Sequence, residues 1–345
     1  MLRLLMILSC FCVSEAQAQL VLWQCNFTNS DWLAGWDNTN DVPKKGIAFG
    51  STNITRIVDS SAPGGAFLRI TYPAGSYAPS GSPSAPIGGT QFYGAVLHSN
   101  GNAPLDALIL QFSVRFPTNF NFVKGGKLPG LYGGTGNTGT VFPNGTDGFT
   151  TRFMWRTSGA GEVYPFLPDS YPNDGDELGK GNWHFSGDNQ WHTLRQECVL
   201  NDIGASNGVI QVWYDGALVL NANGLFFRST NSLNIDGVIF QTFFGGGDTS
   251  WATPVTTYAD FAAFSVSDPN QTNASPPQLT IALDENNVIL SWPTNGGSGF
   301  NLESSDSLFS TNIWTSVPGV SVAGDQFEVT NAIGPTNCFY RLSKP

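Results

Sequence analysis

Two lysines in the stretch FVKGGKLPGLYGG, Lys124 and Lys127, stand three residues apart with two glycines between them. A lysine beside other cations can act as a base, and Gly125-Gly126 lets a backbone bend or approach a ligand closely. A second basic element follows in TTRFMWR, Thr150 to Arg156. As a strand it sets Thr150, Arg152, Met154 and Arg156 on one face and Thr151, Phe153 and Trp155 on the other. Two readings fit the first face: a wet concave surface that takes anions through bidentate arginines, or an ordinary solvated exterior. GEVYPFLP then aligns Glu162, Tyr164 and Phe166, with Pro165 marking an edge or a bulge. TSGAG between these two segments reads as a hairpin-like connection, which predicts Tyr164 near Arg152 or Arg156. Taken alone, Tyr164 would pass for a half-buried sheet tyrosine. Taken together, Arg115, Lys124, Lys127, Arg152, Arg156, Lys180 and Arg195 gather basic groups in mid-chain, and a groove lined with them would attract an anionic polymer.

Other chemistries fit less well. A glycoside hydrolase needs two facing carboxylates at a fixed separation, and Glu162 stands alone on its strand. NDGDELG clusters acids in a Gly-rich loop, read as solvated, with a calcium site as the rival reading. His98, His184 and His192 are scattered without metal-ligand spacing, and His192 is read as structural. A lectin-like sandwich would keep a basic, aromatic groove without needing a Tyr–Lys pair aimed at one sugar.

The elements that must hold these residues are strands. LILQFSVRF puts Leu108, Leu110, Phe112, Val114 and Phe116 on one face, and QVWYDGALVL carries an Asp215-Gly216 hairpin turn between apolar runs. QWHTLRQECVL and GVIFQTFFGG read as further strands. With 40 Gly, 21 Pro and 12% charged residues in 345, the chain predicts an all-β fold: a jelly-roll β-sandwich plus a small C-terminal β-sandwich. The expected division is a secretory signal at 1–18, the sandwich at 19–267, a linker at 268–277 and the appendage at 278–345. The appendage resembles the immunoglobulin-like tails of some exported bacterial enzymes and reads as a spacer or attachment module. A net charge of −11 argues against nucleic acid and anionic membranes as partners. The expected mature protein is exported and monomeric. Cys25, Cys198 and Cys338 would remain after signal removal, either with Cys25 and Cys198 bridged or with all three as small buried side chains. Asn26, Asn53, Asn144 and Asn270 stand in Asn-x-Ser/Thr triplets.

Six segments together carry a family likeness. FVKGGKLPGLYGG, TRFMWR, GAGEVYPFLP, GNWHFSGDNQWHTLRQECVLN, GVIQVWYDG and IDGVIFQTFFGGGDTSWATP occur in the order and rough spacing of polysaccharide lyase family 14. That family includes molluscan alginate lyases and a chlorella-virus enzyme that degrades glucuronate polymers. The resemblance spans Gly88 to Val266. It implies a jelly roll with a concave groove and eliminative cleavage of uronate polysaccharides without a metal or other cofactor. It places the active-site lysine at Lys124 or Lys127, with Lys127 preferred, and a hydroxyl-x-Arg pair at Thr150 and Arg152. Its Tyr-x-Tyr pair falls on Tyr164 and Phe166, so the second hydroxyl is missing. The expected division of labour gives proton transfer to Tyr164 and a lysine, and carboxylate binding to Arg152 with Thr150. Arg115, Arg156, Glu162 and Phe166 are expected to line the substrate groove.

Overall fold

The computed structural model describes residues 19–36, 42–79, 84–96, 101, 105–170, 175–272, 277–294, 299–306, 314–334 and 338–343, with no side-chain description at 271–272. The predicted signal segment, His98 and parts of the predicted linker and of Asn173–Gly179 lie outside these residues.

Period-two alternation builds the body. Its strands are β1 (Gln19–Cys25), β2 (Ile54–Val58), β3 (Ala66–Tyr72), β4 (Thr90–Gly94), β5 (Ala107–Arg115), β6 (Gly125–Gly134), β7 (Gly148–Arg156), β8 (Gly161–Phe166), β9 (His192–Val199), β10 (Gly208–Tyr214), β11 (Ala217–Leu225), β12 (Gly237–Phe244) and β13 (Thr257–Thr272). Eight form one sheet in the order β11-β10-β9-β5-β13-β3-β2, with β1 also paired to β13. Five form the other, β4-β12-β6-β7-β8. On β5 the core face is as read, with Leu108, Leu110, Phe112 and Val114 buried; on the other face Gln111 is exposed, while Ile109 and Ser113 are covered as well. The β10–β11 hairpin turns at Asp215 and Gly216, both at positive φ, as a two-residue turn matched to strand twist requires.

Aromatic rings fill the space between the sheets. Phe112 stacks on Phe264 at 4.9 Å within the larger sheet and meets Phe153 of the smaller sheet at 6.0 Å. Phe240 and Phe261 pair across the same gap at 5.0 Å. Two buried polar contacts also cross it. The Thr151 hydroxyl donates to the Gln196 amide oxygen at 2.7 Å, and the Gln196 amide nitrogen donates back to the Thr151 carbonyl at 2.9 Å. The hydroxyls of Tyr72 and Thr242 share a hydrogen bond of 2.6 Å.

The boundary of the body differs from the reading. Strand β13 continues to Thr272, so the stretch expected as linker from 268 begins inside a strand. Ser267 and Asp268 are buried there, and the Asp268 carboxylate accepts from the Asn270 N–H at 2.8 Å, holding polar sequence in the ladder. Chain contacts divide the protein at Gln271 and Thr272. The C-terminal unit has β14 (Thr280–Asp284), β15 (Asn287–Pro293), β16 (Asn301–Ser305), β17 (Thr315–Ser316), β18 (Ser321–Ala323), β19 (Gln326–Ala332) and β20 (Phe339–Ser343). They form a four-stranded sheet, β14-β15-β19-β18, and a three-stranded one, β17-β16-β20, around Leu290, Trp292, Leu302, Val317 and Val329. The cysteines Cys25, Cys198 and Cys338 are unbridged; Cys198 is buried, but Cys338 is exposed, against the expectation that all three are buried. Asn53 is also buried, with its amide nitrogen donating to the carbonyls of Ile87 and Gly89 at 2.9 Å each.

Candidate active site

Strands β6, β7 and β8 lie side by side at one edge of the smaller sheet. Their register pairs Lys127 with Met154, Met154 with Glu162, and Arg152 with Tyr164. A bulge between Lys127 and Gly130 shifts the β6–β7 pairing. A cleft of about 560 Å³ opens here, walled by Lys127, Met154, Arg156, Tyr164, Glu177 and Trp251. The Lys127 ammonium sits 3.8 Å from the centre of the Tyr164 ring and donates to the Met154 sulfur at 2.6 Å. The Arg156 guanidinium lies 5.3 Å from the same ring. Tyr164 is 6% exposed, so its ring packs into the sheet beside Met154 and Phe166 while it borders the cleft.

The two lysines separate. β6 begins at Gly125, whose φ of +148° follows a Val123 φ of +51°, so Lys124 precedes the strand and Lys127 belongs to it. Lys124 instead donates to the Ser250 hydroxyl at 2.6 Å and lies 5.9 Å from the Trp251 ring. Trp251 ends a short 3₁₀ turn, Thr249–Trp251, whose first turn is capped by Asp248. Gly246, at φ +139°, makes room for the indole: a Cβ there would meet Trp251 at 2.1 Å.

Arg156 is held by two carboxylates, Glu162 at 2.7 Å and Glu177 at 2.7 Å, and Lys180 lies 2.8 Å from Glu177. Burial raises the Glu162 pKa, against the pull of Arg156. Burial also pushes on Glu177, but Lys180 and Arg156 outweigh it and hold that carboxyl below its ordinary value. Arg152 differs in kind. It is 2% exposed, and burial pushes its pKa down to about 10. Its guanidinium donates to the Gln241 amide oxygen rather than to a carboxylate, and its Nε has no hydrogen-bond partner among the described residues. Gln241 in turn donates to Gln91, and Gln91 donates to the Tyr93 hydroxyl at 3.0 Å. A desolvated cation with one amide acceptor and the Phe166 ring at 5.2 Å, but no carboxylate among the described residues, is a costly arrangement that an incoming carboxylate would offset.

Several expected site residues stand elsewhere. The face expected as wet is covered at Thr150, Arg152 and Met154, and Arg156 alone of the four is partly exposed, at 14% of its side chain. Thr150 is fully buried and its hydroxyl donates to the Asn137 carbonyl at 3.0 Å. Phe166 is buried under Phe142, with ring centres 6.3 Å apart, and touches Tyr164 edge-on at 5.7 Å. The loop 135–147, which supplies Asn137 and Phe142, covers this end of the strands. Glu162 is buried behind Arg156 and does not line the cleft. Arg115 and Arg195 are on the other sheet, where Arg115 pairs with Asp260 at 2.8 Å and Arg195 with Glu197 at 2.9 Å. His192 is structural in its contacts, 2.6 Å from Asp215 and 3.2 Å from Asp188. Sequence reasoning missed Glu177 and Trp251 as cleft walls. The Gly245-Gly246-Gly247 run before Trp251 was the available signal, since it marks a close backbone approach.

An all-β sandwich with a cleft bordered by Lys127, Arg156, Tyr164 and Trp251, together with Asp176 and Glu177, has the polar and aromatic lining of a ligand-binding site. The family model for polysaccharide lyase 14 matches residues 60–264, and the chain belongs to that family; it is a polysaccharide lyase. Its structure resembles the PL-14 alginate lyase of Aplysia kurodai, at 30% identity and a TM-score of 0.58, over 72% of this chain and all of that one. It shares its fold with alginate lyase Aly36B, at 19% identity and a TM-score of 0.53, over 72% of this chain and 96% of that one. Exolysin of Paramecium bursaria Chlorella virus 1 is 28% identical over 171 residues, covering 41% of this chain and only 26% of that protein.

Proposed function

We propose that the protein is an exported lyase that cleaves a 4-linked uronate polymer, of the alginate or glucuronan class, by β-elimination. The observation that carries this reading is the Lys127–Tyr164 contact at 3.8 Å inside a cleft bordered by Arg156. Export rests on the apolar N-terminal run and small-x-small site of residues 1–18. The similarity to an alginate lyase supports the substrate class.

The reaction removes the proton on C5 and expels the oxygen on C4. The C5–H electron pair becomes the new C4=C5 bond as the C4–O4 bond breaks, and a proton goes to the departing oxygen. A charged carboxylate on C5 keeps that proton weakly acidic, so cations must take up the charge of the enolate-like intermediate. Arg156, at the cleft wall, is the chain's group for this, with Arg152 buried beside Tyr164 in the strand register. Lys127 and Tyr164 divide the two proton transfers, each of which contributes roughly a hundredfold to ten-thousandfold. Glu162 and Glu177 orient Arg156 rather than acting as a hydrolytic pair, since both are engaged by cations.

The test is a substrate panel of mannuronate-rich alginate, guluronate-rich alginate and glucuronan, read by the ultraviolet absorbance of the new C=C–carboxylate and by product sizing. Rising absorbance that is abolished by Tyr164→Phe with Lys127→Ala supports the reading. New reducing ends without absorbance indicate hydrolysis, and binding without either product indicates a lectin-like module; both results overturn it.

A further inference from the structure

Gly245-Gly246-Gly247 leads from the end of β12 into the short turn that carries Trp251, and backbone bonds pin both ends of this segment. The Gly245 N–H donates to the Gly125 carbonyl at 3.1 Å, and the Trp251 N–H donates to the Asp248 carbonyl at 3.2 Å. The indole lies flat on Gly246. A Cβ added there would stand 2.1, 2.2 and 2.3 Å from three adjacent ring atoms, Cδ2, Cε2 and Cγ, so the glycine meets the ring plane and not its edge. The outer edge of the indole reaches Gly125, where a Cβ would come within 3.2 Å of Cζ3 and within 3.3 Å of the Arg156 Cδ. The ring is partly exposed, walls the cleft, and joins none of the body's apolar clusters among the described residues. Gly125 and Lys127 are two residues apart on β6, about 7 Å, which is on the scale of one sugar unit.

Lys124, which the proton transfers do not use, ties the turn down. Its ammonium donates to the Ser250 hydroxyl at 2.6 Å, and that hydroxyl donates to the Asp248 carboxylate. Asp248 also accepts from the Ser250 N–H at 2.8 Å. The ammonium lies 5.9 Å from the indole centre, at the outer limit of a cation–π contact. Its charge is thus engaged within the turn, through Ser250 and Asp248.

We infer that Trp251 is the stacking platform for the sugar unit next to the one that reacts, and that Lys124 is the positioning residue that holds this platform. An indole takes the apolar C–H face of a pyranose and leaves the hydroxyls and carboxylate to the polar groups of the cleft. The contact reads ring shape and not charge. It is made equally before and during the reaction, so it acts on substrate binding and not on the barrier. The inference rests on the polymer class proposed above, and adds which residue holds the neighbouring unit.

The experiment has two arms. In the first, tetra- and hexasaccharides of mannuronate, guluronate and glucuronate are titrated into the full chain carrying Lys127→Ala, alone and with Trp251→Phe, Trp251→Leu or Trp251→Ala. Trp251→Phe should bind within about threefold of its parent, while Trp251→Leu and Trp251→Ala should bind about tenfold more weakly. The leucine keeps an apolar side chain over Gly246, so it separates loss of the ring from loss of packing. In the second arm, Trp251→Leu and Trp251→Ala in the otherwise unaltered enzyme should raise KM about tenfold, with kcat within about twofold of the parent. Lys124→Ala should raise KM about threefold when Trp251 is present and add nothing to Trp251→Ala, because a positioning residue acts only through the ring it positions. Binding by Trp251→Leu equal to that of its parent overturns the stacking role, as does a fall in kcat at unchanged KM. Additive effects of Lys124→Ala and Trp251→Ala overturn the positioning role. The two arms keep the failures apart. An unaltered enzyme that forms no unsaturated product from any of these saccharides sinks the proposed reaction, while the binding arm still decides Trp251. No binding of any saccharide by the Lys127→Ala protein overturns the platform itself.

Discussion

The two outer faces of the sandwich carry similar residues in opposite arrangements. On the smaller sheet, Arg152 is buried against an amide and Lys127 lies over a phenol ring beside a thioether. On the larger sheet, Arg69 and Arg115 share one fully buried carboxylate, Asp260, and each also covers an aromatic ring. Arg69 and Arg115, both answered by the buried Asp260, contribute to architecture. Arg152, buried with an amide in place of a carboxylate, costs stability that an anionic ligand would offset. The contrast shows that the number of arginines on a strand says little about chemistry until their partners are known.

The strongest way to break this contrast is at Tyr164 and Lys127. Tyr164→Phe and Lys127→Ala should each lower kcat roughly a hundredfold to ten-thousandfold, about 3–5.5 kcal/mol on the barrier, with thermal unfolding little changed. Turnover near the parent value in both would remove the cleft from the mechanism. Asp260→Asn tests the other side. It leaves two arginines facing a neutral amide and should cost about 2–3 kcal/mol of stability, less than a fully buried pair because Arg69 and Arg115 are partly solvated. Denaturant titration measures that, and a large loss of kcat without loss of stability would reverse the contrast. Thr151→Val removes one partner of the cross-sheet contact and leaves the Gln196 oxygen buried, at about 1–2 kcal/mol.

The smallest effect is at His192. Burial lowers its pKa, but Asp215 and Asp188 outweigh that and raise it above the ordinary histidine value. The folded state therefore holds the proton more tightly than the unfolded chain. Its stabilisation is full below the unfolded pKa of about 6.5 and fades as pH rises through the raised folded value. The Tm advantage of the parent over His192→Asn should thus be larger at mildly acidic pH than at alkaline pH. An advantage that does not change with pH would show that the contact acts through packing alone.

What could be read from the sequence was whatever depends on near neighbours. Alternation in β5 is a local pattern, and so is the Asp215-Gly216 turn. The approach of Tyr164 to Arg156 and Arg152 follows from one hairpin, as expected. The lysine at Tyr164 was narrowed to two candidates, and backbone torsions at Val123 and Gly125 selected Lys127. The failures come from distance along the chain. Thr150 and Phe166 have the right strand parity for the cleft, but the loop 135–147 folds back over them. Arg115 and Arg195 match the cleft arginines in type, yet sheet order puts their strands on the other layer. Glu177 and Trp251 arrive on segments without periodicity, so no repeat pattern announced them.

The hydrogen bonds between Thr151 and Gln196 have a mechanical consequence. Stacked apolar rings resist separation but are nearly indifferent to small lateral slip, because the hydrophobic effect has no direction. A reciprocal donor–acceptor pair acts as a detent: sliding one layer past the other breaks both contacts at once and strands polar atoms in the core. Thr151 is the residue immediately before Arg152, so the catch that indexes the two layers sits directly beneath the cation behind the cleft.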